Sequence, residues 1–231
     1  MHESSKTNAL RSQAFKDLYF NGRVLDIGAG TDPVCAHAEV FDQQHGDANH
    51  IDKYFAPHTF DTVHSSHCLE HMQDPLDALQ KWWSLVKPNG YLVTVVPDED
   101  LYEQGIWPSF FNKDHLSSFR IDKATPLSAV SHDVVAIHTA LPDSQLVDAQ
   151  KQSVHYELDL LFHNQILPKR LRHPLKAIYS ILKRVTITPT TLHSYQKWLV
   201  KQGYPFDQTS GKALAQIQVI VQKRNQHSSV N

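Results

Sequence analysis

Apolar residues along this chain switch between helical spacing and short continuous runs. In residues 9–20 they recur at helical spacing and Asn21-Gly22 follows, which predicts an amphipathic helix that ends at a turn. The run VLDI at 24–27 ends at Gly28, which predicts a buried strand entering a tight turn. Shorter apolar runs predict further buried strands at 38–41, 60–63 and 91–96.

The clearest helix pattern begins at Asp74. Pro75 follows, and an aspartate cap with proline in the first turn is a typical helix start, while KPNG at 87–90 closes the pattern. Helices and strands alternate up to residue 98, which predicts an α/β fold with a doubly wound, mostly parallel sheet of about seven strands and helices on both faces. Beyond residue 100 we predict a strand near 134–138, a helix near 154–163 and a last strand at 215–221.

Composition and charge narrow the class of protein. The 231 residues suffice for one decorated α/β domain, and 41% hydrophobic with 20% charged residues is typical of a globular chain. A net charge of -2 provides no general attraction to nucleic acid or to an anionic membrane, so we expect neither as a partner. Two cysteines, no signal-peptide core and no apolar stretch of about 20 residues predict a cytoplasmic protein without stable membrane insertion.

Polar residues follow the predicted strands. Ligands of doubly wound sheets bind outside the carboxyl ends of the strands, so these residues should meet at one rim. They are Gly28 to Asp32, Asp42, Ser65 to His67 and Asp98. We expect the chemistry of the protein at this rim.

The glycine turn departs from the pattern that binds a pyrophosphate. A dinucleotide site uses G-x-G-x-x-G, because phosphate meets backbone amides at a helix N-terminus and the last glycine packs that helix on the strand. Here the run is GAGTDP at 28–33, so the third glycine is missing and Asp32 would repel a phosphate. Asp32 and Pro33 are predicted to cap and open a helix. S-adenosylmethionine carries a sulfonium and an ammonium and no phosphate, so it suits this acidic turn.

Residues 20–98 resemble class I S-adenosylmethionine-dependent methyltransferases. The resemblance rests on VLDIGAG at 24–30, on the acids after it, and on the stretch FDTVHSSHCLEHMQDPLDALQKWWSLVKPNGYLVTVVP at 60–97. It implies a Rossmann-like sheet, S-adenosylmethionine as cofactor, and an acid at position 26 that reaches the methionine ammonium. The cofactor-binding residues implied are Asp26, Gly28, Ala29, Gly30, Asp42, Asp47, Ala48 and Ser65.

Two acids compete for the ribose in this resemblance. The acid that ends the second strand binds both ribose hydroxyls in the family, which implies Asp42, and an Asp-Ala pair reads the adenine, which implies Asp47 and Ala48. Only four residues separate the two acids, too few for a full helix and strand. We therefore expect a shortened crossover, or Asp47 in contact with the ribose instead.

Methyl transfer demands little from a catalytic side chain, because the sulfonium already activates the carbon and positioning supplies much of the rate. Candidate bases follow the strands at 60–63 and 91–96, namely His67, His71 and Asp98, and a further one, His115, lies in the aromatic segment 107–119. We favour His67 and His115, since His71 is more simply a structural residue at a helix start. A histidine near neutrality accepts a proton from a hydroxyl or an amine. His115 serves equally well as a structural residue in a turn.

Histidines at 64, 67 and 71 raise the question of a metal site. His64 is expected within or at the end of a strand, away from the other two, so we predict no metal. A magnesium-assisted reaction using Asp98 or Asp100 has no spacing signature.

We expect a single methyltransferase domain over 1–231. Its predicted parts are an N-terminal helix at 1–22, a cofactor-binding core at 23–98, and substrate-side insertions at 99–131 and 142–200. The second insertion contains a basic segment at 168–185, with an apolar stripe of Leu175, Ile178 and Leu182. Such a helix fits a membrane surface, an acidic partner or a substrate lid, but a cap with a solvated basic face explains it more simply.

The predicted function is methyl transfer from S-adenosylmethionine to an oxygen or nitrogen of a small-molecule or sugar-like acceptor. A partner subunit that binds the cofactor without turnover is an alternative from another class of protein. A third hypothesis is a nicotinamide-dependent oxidoreductase, but Asp32 argues against it because an acid would repel the phosphates of the dinucleotide.

Overall fold

The computed structural model describes residues 3–162, 165–184 and 188–225. Its α-helices are α1 (Glu3–Asn8), α2 (Gln13–Tyr19), α3 (Pro75–Ser84), α4 (Val134–Thr139), α5 (Lys169–Arg184) and α6 (Pro189–Lys201). Its strands are β1 (Val24–Ile27), β2 (Glu39–Phe41), β3 (Phe60–Ser66), β4 (Val86–Pro97), β5 (Ser118–Arg120), β6 (Ser131–Asp133), β7 (Ser144–Gln152) and β8 (Gln216–Lys223). Short 3-10 helices lie at Ala48–Lys53, Leu69–His71 and Leu158–Leu160.

Six strands form the main sheet in the order β2-β1-β3-β4-β8-β7. The first four strands of this order run parallel, and β8 pairs antiparallel with both β4 and β7. A separate parallel pair consists of β5 and β6. The predicted α/β fold with a mostly parallel sheet is confirmed, and the last strand overlaps its predicted position.

One face of the sheet carries the larger core. Side chains of β1, β3 and β4 pack there against Trp82 and Trp83 of α3. This helix begins where the sequence predicts, because Asp74 Oδ1 accepts hydrogen bonds from the backbone N–H groups of Leu76 (3.0 Å) and Asp77 (3.2 Å). The 3-10 helix that starts at Ala48 and helix α4 complete this layer.

The N-terminal helices cover the opposite face. Tyr19 and Phe20, at the end of α2, pack in one cluster with Val93 of β4 and Ile220 of β8. The link from β1 to β2, residues 28–38, contains turns and bends and no helix. The N-terminal segment therefore takes the place that a helix between β1 and β2 would fill in a doubly wound sheet.

The prediction of a helix that starts at Asp32 and Pro33 is wrong. The Asp32 carboxylate instead accepts hydrogen bonds from the backbone N–H of Ser5 (2.8 Å) and from its hydroxyl, in the first turn of α1. The first backbone N–H groups of a helix lack partners within the helix, so an acid there is stabilising. Asp32 therefore stabilises the N-terminus of α1, and not that of a helix after Pro33.

A series of buried polar groups ties this face together. His64 of β3 is fully buried, and its Nδ1 lies 2.6 Å from Asp26 Oδ1. Asp26 Oδ2 accepts a hydrogen bond from the backbone N–H of Val34 at 2.6 Å. Arg11 donates to Gln218 Oε1 at 2.8 Å and lies 3.5 Å from His64 Nε2. Burial lowers the pKa of His64, so the imidazole is neutral and donates from Nδ1 to Asp26.

Two predictions beyond residue 100 are wrong. The strand expected near 134–138 is helix α4, which begins after Asp133 because Asp133 Oδ1 accepts a hydrogen bond from the backbone N–H of Ala136 at 3.0 Å. The helix expected near 154–163 is a loop with one 3-10 turn as far as residue 162, and residue 163 lies outside the described residues. Leu158 in that loop is 64% exposed, so the apolar positions do not form one buried helical face.

The sequence patterns did not predict strand β7. It pairs with β8 alone, at the edge of the sheet, and most of its side chains are exposed or half-buried. An edge strand with this burial lacks the apolar run or clean alternation that reveals a strand.

A third, smaller cluster packs beside helices α5 and α6. Its buried members are Leu160, Phe162, Leu199, Val200 and Phe206. Leu175 of α5 packs against this cluster, as expected for a cap, whereas Ile178 is 45% exposed. Among the described residues, no helix combines the length and the apolar character needed to cross a bilayer.

His138 on α4 gives the fold a pH-dependent contribution. Its Nδ1 donates to the carbonyl oxygen of Val134 at 2.7 Å, and its Nε2 accepts from the Thr94 hydroxyl at 3.0 Å. Burial lowers the pKa of His138 from 6.5 to about 4, so the unfolded chain binds one more proton between these values. This stabilisation is complete above pH 6.5 and is lost as the pH falls toward 4, by up to about 3 kcal/mol.

Urea unfolding of the wild type and of His138→Gln over this pH range measures the contribution. The difference in free energy of unfolding between the two proteins is expected to shrink as the pH falls. His37→Gln, at an exposed position, should show no such trend. A difference that stays constant between pH 7 and pH 4 would contradict the neutral buried imidazole.

Candidate active site

A cleft of about 840 Å³ lies at the carboxyl ends of β1, β2 and β3. Among the residues that line it are Gly28, Asp42, Asp47, Ala48, His67 and His71. The glycine turn, the two competing acids and two candidate bases therefore meet at one rim of the sheet.

The glycine turn leaves no room for a side chain at Gly28. Gly28 has a φ of +79°, and a Cβ atom there would lie 2.7 Å from Cys68 Cβ and 2.9 Å from Cys68 Sγ. Gly30 has a φ of +55°, and its backbone N–H donates to Asp42 Oδ2 at 2.7 Å. Cys68 and Asp42 thus hold the turn from two sides.

Asp42 and Asp47 differ in how they are held. Asp42 follows β2 directly, and its two oxygens accept backbone hydrogen bonds from Gly30 (2.7 Å) and Gln43 (2.6 Å). Asp47 is exposed, and its Oδ1 caps the following 3-10 helix by accepting from the backbone N–H of Asn49 at 2.9 Å. Hydrogen bonds from Asn49 hold the pKa of Asp47 below its ordinary value.

The crossover that contains these acids is shortened, as the spacing predicts. Residues 42–59 are all described, and they contain one 3-10 helix and no strand. The sheet therefore ends at β2, which leaves the side of the cleft next to Asp42 and Asp47 open.

Four other predicted cofactor-binding residues lie outside the lining of the cleft: Asp26, Ala29, Gly30 and Ser65. Asp26 and Ser65 are fully buried within their strands. The oxygens of Asp26 contact His64 and the backbone of Val34. The contribution of these four residues to cofactor binding stays a prediction.

A cluster of histidines surrounds the carboxylate of Glu70 beside the cleft. Glu70 Oε1 lies 3.6 Å from His67 Nδ1, and 3.9 Å from both His71 Nε2 and His115 Nε2. Both carboxylate oxygens of Glu70 are buried, and no described group donates a hydrogen bond to them. Although burial opposes ionisation, the neighbouring His67 holds the pKa of Glu70 below its ordinary value. The two favoured candidate bases, His67 and His115, therefore meet at one carboxylate.

Sequence reasoning missed both carboxylates of this cluster. Glu70 has a local signal, since it lies within HCLEH at 67–71, three residues after one histidine and next to another. Glu103 has none, because only the folded loop brings its Oε1 to 2.7 Å from His115 Nδ1. His64 is not part of the cluster: its ring contacts Phe20 of the N-terminal layer, with ring centroids 5.5 Å apart.

A second cavity of about 590 Å³ lies where the two predicted insertions, 99–131 and 142–200, come together. Its lining includes Asp100, Gln104, Ile106, Trp107, Phe162 and Ile166. Gln104 Nε2 donates to the carbonyl oxygen of Phe206 at 2.7 Å, whereas no described group donates to its buried Oε1. An unused amide oxygen is an acceptor for a donor group of a ligand.

Comparison with known proteins gives the family of the chain. The pattern of the methyltransferase domain family matches residues 4–124, just over half of the 231 residues. The chain belongs to this family. It is a methyltransferase, and its cofactor is S-adenosylmethionine.

The solved structures that resemble this one have low sequence identity with it. A SAM-dependent methyltransferase from Archaeoglobus fulgidus is 16% identical over 96% of this chain and 95% of its own, with a TM-score of 0.47. A SAM-dependent methyltransferase from Thermotoga maritima is 14% identical over 96% of this chain and 88% of its own, with a TM-score of 0.47. YcgJ from Bacillus subtilis is 14% identical over 88% of this chain and 92% of its own, with a TM-score of 0.46. No curated protein matches the sequence.

Proposed function

We propose that the protein transfers the methyl group of S-adenosylmethionine to an oxygen or nitrogen of a small-molecule or sugar-like acceptor. One observation carries the proposal: a single cleft joins the glycine turn and the acids at positions 42 and 47 to a cluster of imidazoles and a buried carboxylate. The first group suits the cofactor, and the second suits an acceptor atom that must lose a proton.

The cofactor binds along the open side of the cleft in this proposal. Asp42 holds the ribose hydroxyls, because backbone hydrogen bonds fix its carboxylate and leave each oxygen a free lone pair. Asp47 and Ala48 contact the adenine. Gly28, Ala29 and Gly30 allow the methionine part to approach the backbone, while Asp26 and Ser65 support the strand ends behind it.

The acceptor side is formed by the histidine cluster and the insertions. His67 and His115 hold the acceptor and receive its proton, because methyl transfer by in-line displacement gains most from positioning. The cavity around Gln104 and Ile106 accommodates the rest of the acceptor. In this scheme residues 23–98 are the cofactor-binding core of a single domain, and 99–131 with 142–200 form its acceptor side.

Transfer of label from methyl-labelled S-adenosylmethionine to fractionated metabolites tests the function. Wild type is expected to label a small-molecule fraction and to release S-adenosylhomocysteine in equal amount. Gly28→Val is the control without cofactor binding, because its side chain would collide with Cys68. Tight cofactor binding without any labelled product would instead assign the chain to non-catalytic partner subunits.

A further inference from the structure

We propose that Glu70, His71 and His115 bind one divalent transition-metal ion at the edge of the cofactor cleft. One ligand atom from each residue lies within 4.8 Å of the other two. Two nitrogens and one carboxylate oxygen form a ligand set typical of catalytic zinc and of other borderline divalent ions.

The distances fit a site that contracts slightly around an ion. His71 Nε2 and His115 Nε2 each lie 3.9 Å from Glu70 Oε1. Ligands at about 2.1 Å from one ion are roughly 3.0–3.4 Å apart in octahedral or tetrahedral geometry. A movement of about half an ångström for each side chain therefore completes the coordination, whereas 3.9 Å is too long for a hydrogen bond.

The hydrogen bonds of His71 and His115 use their Nδ1 atoms and leave their Nε2 atoms, which face Glu70, free to bind an ion. His71 Nδ1 lies 2.9 Å from the carbonyl oxygen of Asp114, which can only accept, so Nδ1 carries the proton. His115 Nδ1 lies 2.7 Å from Glu103 Oε1 and donates in the same way. In the neutral ring each Nε2 then bears an unprotonated lone pair. A carboxylate or carbonyl behind a histidine is the usual outer partner of a metal-binding imidazole.

Glu70 is the second, independent indication of a ligand. The residue is 1% exposed, and no described group donates a hydrogen bond to either of its carboxylate oxygens. The nearest group, His67 Nδ1, lies 3.6 Å from Oε1, which is longer than a good hydrogen bond, so the buried carboxylate can still accept a cation at closer range. An ion shared with the two imidazoles satisfies this carboxylate directly.

The surrounding structure holds the ligands in register. The backbone N–H of Leu116 donates to the Glu70 carbonyl oxygen at 2.8 Å, which ties the loop that carries His115 to the 3-10 helix that carries the other two ligands. The ring of Tyr102 stacks on His115 with centroids 5.2 Å apart. Such support from a second set of residues is expected of a preorganised site.

The position of the site suggests its use, and this part rests on the proposed function. His71 lines the cofactor cleft, and three protein ligands leave further coordination positions for an acceptor. A hydroxyl oxygen bound there loses its proton to water more readily, because the ion lowers its pKa. With the ion bound, His115 acts as a ligand and no longer as a base, since both of its ring nitrogens are then in use. This oxygen then bonds to the methyl carbon as the carbon–sulfur bond breaks, which leaves neutral S-adenosylhomocysteine. The acceptor class is therefore a hydroxyl compound.

Titration of chelator-treated protein with Co²⁺ tests the site, since the visible absorption of Co²⁺ reports its ligands. One ion per chain is expected, with a micromolar or lower Kd. Glu70→Gln and His71→Ala should each weaken Co²⁺ binding by at least about 100-fold, because each removes a ligand. Glu103→Gln should weaken it by about 10–100-fold, because Glu103 contacts only a ligand.

His193→Ala is the matched control. His193 belongs to another group of possible ligands, with Glu157 and Asp159, but this group is exposed or half-buried at the surface. Its loss should leave Co²⁺ affinity at the Glu70 site unchanged. Thermal unfolding and calorimetric S-adenosylmethionine binding verify that each variant is folded, and His71→Ala, with 32% side-chain exposure, is the variant least prone to misfold.

The outcomes separate the site from the function. Absence of Co²⁺ binding below millimolar concentration, or equal affinity in the wild type and in a folded His71→Ala variant, overturns the metal site. Methyl transfer that persists unchanged after chelation overturns its proposed use while the methyltransferase function stands. A Co²⁺ site in a protein that methylates no acceptor supports the site and overturns the proposed function.

Discussion

Asp26→Ala is expected to lower the free energy of unfolding by about 3–5 kcal/mol, because two buried donors lose their acceptor and each unsatisfied donor costs about 1–3 kcal/mol. Asp26 is fully buried and receives hydrogen bonds from His64 Nδ1 and from the backbone N–H of Val34, both at 2.6 Å. Alanine leaves both donors in an interior from which water is excluded. The same change frees the link 28–38, which has no helix of its own to hold it on the sheet.

Two further variants isolate the cause of this loss. Asp26→Asn keeps one acceptor oxygen and should cost roughly half as much. Asp32→Ala removes a carboxylate from the same link, but Asp32 is half-buried and serves only the first turn of α1, so a loss of about 1 kcal/mol is expected. Urea unfolding at pH 7 measures all three. Equal losses in Asp26→Ala and Asp32→Ala would show that the buried network adds nothing.

Asp42→Ala is expected to weaken S-adenosylmethionine binding by about 100-fold or more. A carboxylate that receives both ribose hydroxyls makes two hydrogen bonds to a charged group, each worth about 1.5–3 kcal/mol. In addition, the Gly30 backbone N–H loses its acceptor at 2.7 Å, so the glycine turn is less well held. Isothermal calorimetry with S-adenosylmethionine and S-adenosylhomocysteine measures the effect without any need for an acceptor.

Asp47→Ala tests which of the two acids binds the ribose. Asp47 is exposed and its Oδ1 already accepts from Asn49, so at most one solvent-exposed hydrogen bond to the adenine is lost. Cofactor affinity is therefore expected to fall by about 10-fold or less. The reverse ranking, with Asp47→Ala as the damaging change, assigns the ribose to Asp47. Both variants must show wild-type secondary structure by circular dichroism, so that an affinity change reports the site.

Local patterns in the sequence were sufficient for the parts of the fold that local physics controls. The helix after Asp74 forms as predicted because its cap and its first proline act within a few residues. Strands β1 and β3 and the second half of β4, residues 92–97, are buried on both faces, as their mainly apolar sequences indicate. The edge strand β7 depends on its partner strand β8 and was missed. Helix α4 has a local cap at Asp133 but was assigned as a strand, since its β-branched residues Val134, Val135 and Ile137 favour one.

The candidate site divides in the same way. The glycine turn, Asp42 and Asp47 follow strand ends, so the rule for doubly wound sheets places them on one rim without any coordinates. The partner of His115, in contrast, is Glu103, and their contact at 2.7 Å exists only because the loop after β4 folds back on itself. Spacing along the chain cannot indicate such a contact, since neither residue belongs to a regular element.

The fold class and the rim that carries the site follow from burial patterns, caps and turns, which act over short distances, and the cofactor follows from the acidic glycine turn and the resemblance of residues 20–98. Only the folded chain shows that α1 and α2 cover the face left bare between β1 and β2, with Asp32 at the start of α1 and Asp26 bound to His64. It also shows that Glu70, His71 and His115 converge. Long-range packing places these groups, and the free energy of burying them depends on partners that are remote in the chain.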